Sequence, residues 1–484
     1  MRRLPQCYRL LPDLTAFEPR GMMQSKPFLV LVAAATAAVS VCATTALFFL
    51  VSMPIAVPAR AQADIPDLVC PSTGGRSPTR RPSVSDEEVM PFELDALGDL
   101  RELPPDRDPA VVEAFRPGIA GVRGPGIRRL AIWGDSHIAS GAFGDELQRL
   151  LGLGGIETSN SFIPPYMARR GVRIPVRSFC VGAAWSLSMA YVSRTEVATG
   201  PALAEMRSRD GPGAYLWLDL RTRSREPEAL RLRMLYRPLA GEAEIAVSIN
   251  GGEEGSYYLE PSSEHDDAAP KELYFEDGDL LSTVKIRVIS GEVALQGFFV
   301  DKVIEPSLVV DVMGIPGATV NGWAVADPQH LSATFFERQY DAVILEFGTN
   351  EAVGDFDAAR YAAMLDRALM NMRRVFPEAT CVLVGPPDRG VVMRRKRGSR
   401  QMPSVDQLLR YPRVHQRINE IQAEVGATFG CSAWDWQQAM GGPGAAYSWS
   451  RTSAPLMGGD LIHLTPAGYR RSALLLARHL GWAP

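Results

Sequence analysis

The chain has 484 residues, 46% hydrophobic and 22% charged, an ordinary globular balance spread over more length than one typical domain fills. Its formal net charge of -4, from 51 Lys and Arg against 55 Asp and Glu, excludes a general attraction to nucleic acid or to anionic membrane surfaces. Electrostatic recognition has to be local.

Residues 28–51, FLVLVAAATAAVSVCATTALFFLV, carry no charge and are long enough for one helix to cross a bilayer. Arg2, Arg3, Arg9, Arg20 and Lys26 precede them, which predicts a cytoplasmic segment 1–27 and export of everything that follows. The run is either a retained transmembrane anchor or a signal cut after Ala61-Gln62-Ala63. Residues 64–127, rich in Pro, Gly, Arg and acids, read as a tether with little core.

From residue 128 the pattern changes. RRLAIW at 128, SLVVDVMG at 307, YDAVILEFG at 340, TCVLVGPPD at 380 and the weaker TFGCSAWD at 428 are apolar runs without alternation, as expected of parallel strands buried on both faces. Between them, Tyr361, Leu365, Ala368, Met372 and Val375 recur at helical spacing up to Pro377. A last helix opens at Thr465 and Pro466 and closes at Gly481. Alternating strands and helices predict a three-layer α/β domain in two parts, 128–212 and 305–484. Residues 213–304 break the rhythm: Ile245, Val247 and Ile249, then Val284, Ile286 and Val288, alternate with polar or small residues around a turn at Asn250-Gly251. Period two predicts an inserted antiparallel β-sandwich. Of the cysteines beyond residue 51, Cys70, Cys180, Cys381 and Cys431 have no metal-ligand spacing, and Cys381 and Cys431 read as thiols packed in apolar strands.

Four short motifs fall where strands end or a helix begins: Gly134-Asp135-Ser136, Gly317 in MGIPGATVNGW, Gly348-Thr349-Asn350, and Asp460-Leu461-Ile462-His463. In an open α/β sheet the loops beyond the carboxyl ends of the strands meet in one crevice, so these motifs can converge there. Together they supply what ester hydrolysis needs: a hydroxyl nucleophile, a base, a carboxylate to hold that base, and donors for the oxyanion. The set, in this order, resembles the SGNH (GDSL-like) hydrolase family over residues 128–205 and 305–484. The resemblance implies Ser136 as nucleophile, His463 as general base, Asp460 as its orienter, and an oxyanion hole from Ser136, Gly317 and Asn350, with no metal and no cofactor.

Within that family WGDSH, GTNEA, VGPPD and WDWQQAMGGPG, with the inserted sandwich, look similar to bacterial peptidoglycan O-acetylesterases, whose insert is like a carbohydrate-binding module. This implies a periplasmic or cell-envelope enzyme removing acetyl groups from an O-acetylated polysaccharide. An O-acetyltransferase using the same residues and a non-catalytic glycan-binding scaffold are the alternatives. Trp434 and Trp436 could stack on sugar rings, against the ordinary reading as packing residues. Arg394, Arg395 and Arg397, in the basic loop 388–404, could attract an anionic polymer, against the reading of a solvated loop. His137 is read as support for the turn, and His330, His415 and His479 as helix residues rather than metal ligands.

Overall fold

A computed structural model describes residues 65–71, 128–153, 155–167, 169–209, 213–262, 269–392, 404–482. The proposed cytoplasmic segment and membrane span, most of the tether, and Arg394, Arg395 and Arg397 lie outside the described residues. Among the described residues no helix is long and apolar enough to cross a membrane.

The five expected strands form one parallel sheet. From edge to edge it runs Cys431–Trp434, Thr380–Val384, Ala342–Glu346, Arg129–Gly134, Leu308–Gly314, with the two-residue strand Thr158–Ser159 at the far edge. Arg129–Gly134 is central, and its residues show why the run has no alternation. Ala131 and Trp133 belong to the core on one face, Leu130 and Ile132 to the core on the other. Helices cover both faces. Helices Ala142–Gly152 and Pro466–His479 pack together on one side, and Asn321–Val325, Ala358–Val375 and Arg410–Thr428 pack in series on the other. The apolar stripe of Ala358–Val375 is buried at Tyr361, Leu365, Ala368, Met372 and Val375. The last helix starts as its sequence requires, with Thr465 Oγ1 accepting the Gly468 N–H and Pro466 at the first turn.

Two antiparallel sheets stand beside this domain. In the strand Thr283–Ser290, Val284, Ile286 and Val288 are buried while Arg287 is exposed, as period two dictates. Asn250 and Gly251 adopt positive φ, +53° and +78°, the geometry of a tight hairpin turn. The sheets take in more chain than residues 213–304. Ser178–Val181 joins one of them, and Trp185–Met189, Ala204–Ser208 and Phe162–Ile163 join the other. These earlier strands are short, two to five residues, and too brief to display a period.

The cysteines are also placed differently from expectation. Cys381 and Cys431 are directly opposed in the parallel register and joined as a disulfide, with Cα atoms 4.6 Å apart. Cys70 is joined to Cys180. Residues 65–71 are therefore not free tether: Asp67 also pairs with Arg177, Arg221 and Arg225, and the hydrogen bonds and charges of Arg177 and Arg225 hold its carboxyl at about 2. The bond between Cys381 and Cys431 closes a loop with a sequence separation of 50. Replacing both by serine is expected to lower the unfolding free energy by about 2–4 kcal/mol, measured by urea denaturation under oxidising conditions.

Candidate active site

The central strand ends at Gly134, and only glycine fits there. A Cβ would stand 2.3 Å from Ile138 Cγ1 and 2.8 Å from Glu346 Oε2. The chain turns at once into the short helix Ser136–Ala139, capped by Asp135, whose Oδ1 accepts the His137 N–H at 2.8 Å. This puts Ser136 at the first helical position above the carboxyl end of the sheet.

Ser136 Oγ lies 3.0 Å from His463 Nε2, and His463 Nδ1 lies 2.7 Å from Asp460 Oδ2. Asp460 Oδ1 accepts the N–H groups of Ile462 and His463, each at 3.0 Å. Partial burial alone would raise the Asp460 carboxyl, but its bonds from the His463 ring and these two amides hold it below the usual range. The loop is compact because Leu461 takes a left-handed φ of +55°, a strained conformation for leucine costing on the order of 1–3 kcal/mol. Bonds from Gly458 N–H to His463 O and from Gly390 N–H to Leu461 O hold it.

The other two motifs are stapled to each other. Asn350 Nδ2 donates to Ala318 O at 2.9 Å and to Asp135 Oδ2 at 3.2 Å, and Glu351 Oε1 accepts the Val320 N–H at 2.8 Å. Gly317 lies in the same loop at φ +86°. The four motifs thus meet at one end of the sheet. Both Asn350 amide hydrogens are engaged at rest, so an oxyanion reaching this side chain takes over one of these bonds.

Behind the serine lies a cluster of buried carboxyls, Asp135, Glu346 and Glu351, of which only Asp135 belongs to the motif read for the serine turn. Burial raises the carboxyls of both Asp135 and Glu346, and Glu346, also facing the Asp135 charge, rises well above the usual range. Asp135 accepts two N–H donors while Glu346 accepts one, from the Asp135 amide at 3.2 Å. Of the two, Glu346 is the one pushed further toward its neutral form, by burial and by the facing Asp135 charge. Burial likewise pushes Glu351 up to about 7.

His137 is buried, with Nδ1 3.1 Å from Tyr469 Oη, and burial holds its ring well below the usual pKa, so it is neutral support for the turn. Trp434 and Trp436 are buried and stacked on each other, with Trp436 Nε1 donating to Ser472 Oγ. Neither ring has a face open to a sugar, which corrects their reading as a stacking platform. They fill the space between the sheet and the last helix. Among the described residues no group of three or more His, Cys, Asp or Glu side chains is placed to hold a metal.

A parallel α/β sheet with a Ser–His–Asp chain of hydrogen bonds at its carboxyl end is the architecture of a carboxylic ester hydrolase. Residues 293–471 match the GDSL-like lipase/acylhydrolase family model. The chain carries a domain of that family and is an ester hydrolase. Among solved structures, a peptidoglycan O-acetylesterase aligns at 20% identity with a TM-score of 0.53, over 77% of this chain and 93% of that one. TesA aligns at 18% identity and TM-score 0.25, over 36% and 78% of the two chains. A carbohydrate esterase family 2 enzyme of Corynascus thermopiles (Myceliophthora fergusii), with a carbohydrate binding domain, aligns at 13% and 0.24, over 61% and 100%. No curated protein sequence matches the chain.

Two outcomes are expected. Asn350→Ala lowers kcat on a small acetyl ester about 100-fold, the usual cost of losing an oxyanion donor. Glu351→Gln tests the buried carboxyl. With a folded pKa near 7, above its ordinary value of 4.5, the stability owed to the protonated form is complete at low pH and is lost as pH rises through 7. Glutamine keeps its neutral form throughout. The unfolding free energy of E351Q relative to the parent should therefore grow between pH 4 and pH 8, by up to about 3 kcal/mol in denaturant titrations.

Proposed function

We propose that the protein is a serine O-acetylesterase acting on an O-acetylated cell-envelope polysaccharide, with peptidoglycan as the first candidate. The observation that carries this reading is the alignment of Ser136 Oγ, the His463 ring and the Asp460 carboxylate at 3.0 and 2.7 Å. His463 Nε2 takes the Ser136 proton as the oxygen attacks the acetyl carbonyl. The tetrahedral oxyanion is met by the backbone N–H groups of Ser136 and Gly317 and by Asn350. The intermediate collapses to acetyl-serine, and His463 returns the proton to the departing sugar oxygen. Water, deprotonated by the same ring, then releases acetate and regenerates the serine hydroxyl. Asp460 holds the ring in the tautomer that presents a free Nε2 and balances the charge it gains.

Hydrolysis is favoured over acetyl transfer by exposure. The His463 and Asp460 side chains are 45% and 50% accessible, so bulk water reaches the acyl-serine. Polysaccharide is favoured as substrate by the likeness to a peptidoglycan O-acetylesterase over 77% of this chain. An exported site of action is favoured by the disulfides Cys70–Cys180 and Cys381–Cys431, which persist in oxidising compartments, and fits an anchor or signal at 28–51. Arg394, Arg395 and Arg397 then serve to draw an anionic polymer toward the crevice.

Acetate release from O-acetylated peptidoglycan, other acetylated glycans and a small acetyl ester tests the reading. Release from peptidoglycan, lost in Ser136→Ala, is the expected result; a protein that releases acetate from none of them is not this enzyme. Changing Arg394, Arg395 and Arg397 together to glutamine should weaken activity on polymer at low salt and leave small-ester turnover unchanged. Equal effects on both substrates would remove the loop from substrate recognition.

A further inference from the structure

Gly317 N–H and Pro316 C=O belong to one peptide group, and the carbonyl end of that group is where the structure is most heavily invested. Arg169 Nη2 donates to Pro316 O at 2.7 Å, and Tyr191 Oη lies 3.3 Å from the same oxygen. A Cβ built on Gly317 would stand 3.8 Å from Arg169 Nη2 and 3.5 Å from Tyr191 Oη, so both groups sit directly against the loop. Among the described residues the Arg169 guanidinium forms no ion pair, and Pro316 O is its hydrogen-bond acceptor.

We infer that Arg169, seconded by Tyr191, is a positioning residue that polarises the Pro316–Gly317 peptide and so strengthens Gly317 N–H as an oxyanion donor. A peptide is a single conjugated unit: drawing electron density onto its oxygen deepens the C–N double-bond character and makes the N–H a stronger donor. A charge-assisted bond does this more than a neutral one, and bonds in series reinforce each other. The same contacts fix the direction of the N–H. The carbonyl is held by Arg169 and Tyr191, and the next residue, Ala318, by its own carbonyl bond from Asn350. Neither end of the segment can swing when charge develops, so the hole needs no rearrangement at the moment of reaction.

Neither residue belongs to the four motifs. Arg169 lies in the loop before the strand Ser178–Val181, and Tyr191 in the single-turn helix Ala190–Val192, so both come from the chain that builds the antiparallel sheets. Their reach into the site gives that region a part in the chemistry. The inference rests on the esterase reading only in taking Gly317 as an oxyanion donor.

The test compares the parent with Arg169→Gln, Arg169→Lys and Tyr191→Phe, using p-nitrophenyl acetate turnover and the rate at which a fluorophosphonate modifies Ser136. In R169Q both kcat and the maximal phosphonylation rate are expected to fall about tenfold, with KM within about twofold of the parent. Lysine, restoring a charge without the planar fork, should recover part of the loss. A rise in KM with kcat unchanged would make Arg169 a substrate anchor and overturn the inference, as would unchanged rates in R169Q. If R169Q does not fold, Y191F decides: a lower phosphonylation rate at parental melting temperature supports the inference, and an unchanged rate overturns it. Phosphonylation needs no acetyl group. A parent protein that reacts with the fluorophosphonate yet releases no acetate would refute the acetylesterase reading and leave this measurement valid.

Discussion

One constraint underlies the site: the parallel register that sets Gly134 beside Gly314 on one flank and Glu346 on the other. Because three strand ends finish at the same level, the serine turn, the loop carrying Gly317 and the loop carrying Asn350 leave the sheet as neighbours. Short bonds can then join them: Ile315 N–H to Gly134 O, Asn350 to Ala318 and Asp135, Glu351 to Val320. A slip of one residue in any of these strands would turn its buried side chains to the opposite face and separate the loops. The last helix and the Asp460–His463 loop close the arrangement from the other side of the sheet.

The carboxyl cluster is the electrostatic counterpart of that packing. A site that stabilises an oxyanion gains nothing from fixed negative charge beneath it, yet Asp135, Glu346 and Glu351 all lie there. Burial reconciles the two by favouring the neutral acids, with Glu346 the most strongly affected. Asp135 keeps the acceptors that the His137 amide and Asn350 need. The turn that exposes the serine therefore rests on a buried carboxyl pushed toward its neutral form as well as on a glycine.

Much of this was legible in the amino-acid order. The parallel strands announce themselves as unalternating apolar runs because both faces are covered, and the four motifs lie at strand or helix ends because that is where side chains can converge. The helix stripe of Tyr361 to Val375 and the Thr465-Pro466 start needed only local rules. What stayed hidden depends on partners distant in sequence. The strands Phe162–Ile163 and Ser178–Val181 are too short to carry a period and are recruited by sheets formed later in the chain. The pairing of Cys381 with Cys431 follows from register, which spacing does not reveal. Trp434 and Trp436 sit near the crevice in sequence but face the interior, since a large ring between a sheet and a helix gains more from burial than from solvent. Glu346 is embedded in the run AVILEFG, where a lone acid among apolar residues is a signal of a buried, perturbed carboxyl that only the neighbouring strand explains.

The antiparallel sheets also cannot be treated as a detachable accessory. The stretch between two of their strands, residues 190–203, supplies Tyr191, receives the side-chain amide of Asn321 on Tyr191 O and Ser193 O, and bridges at Val197 to Ala326. Leu203 and Tyr191 line the same small apolar hollow as Trp133, Gly134 and Ala318. A module sewn in at this seam packs against Gly134 and Ala318, next to the serine turn and the Gly317 loop. Descendants that keep the hydrolytic core unaltered can therefore diverge in which esters they accept through changes in the accessory sheets alone, a route to new selectivity that leaves the reacting side chains untouched.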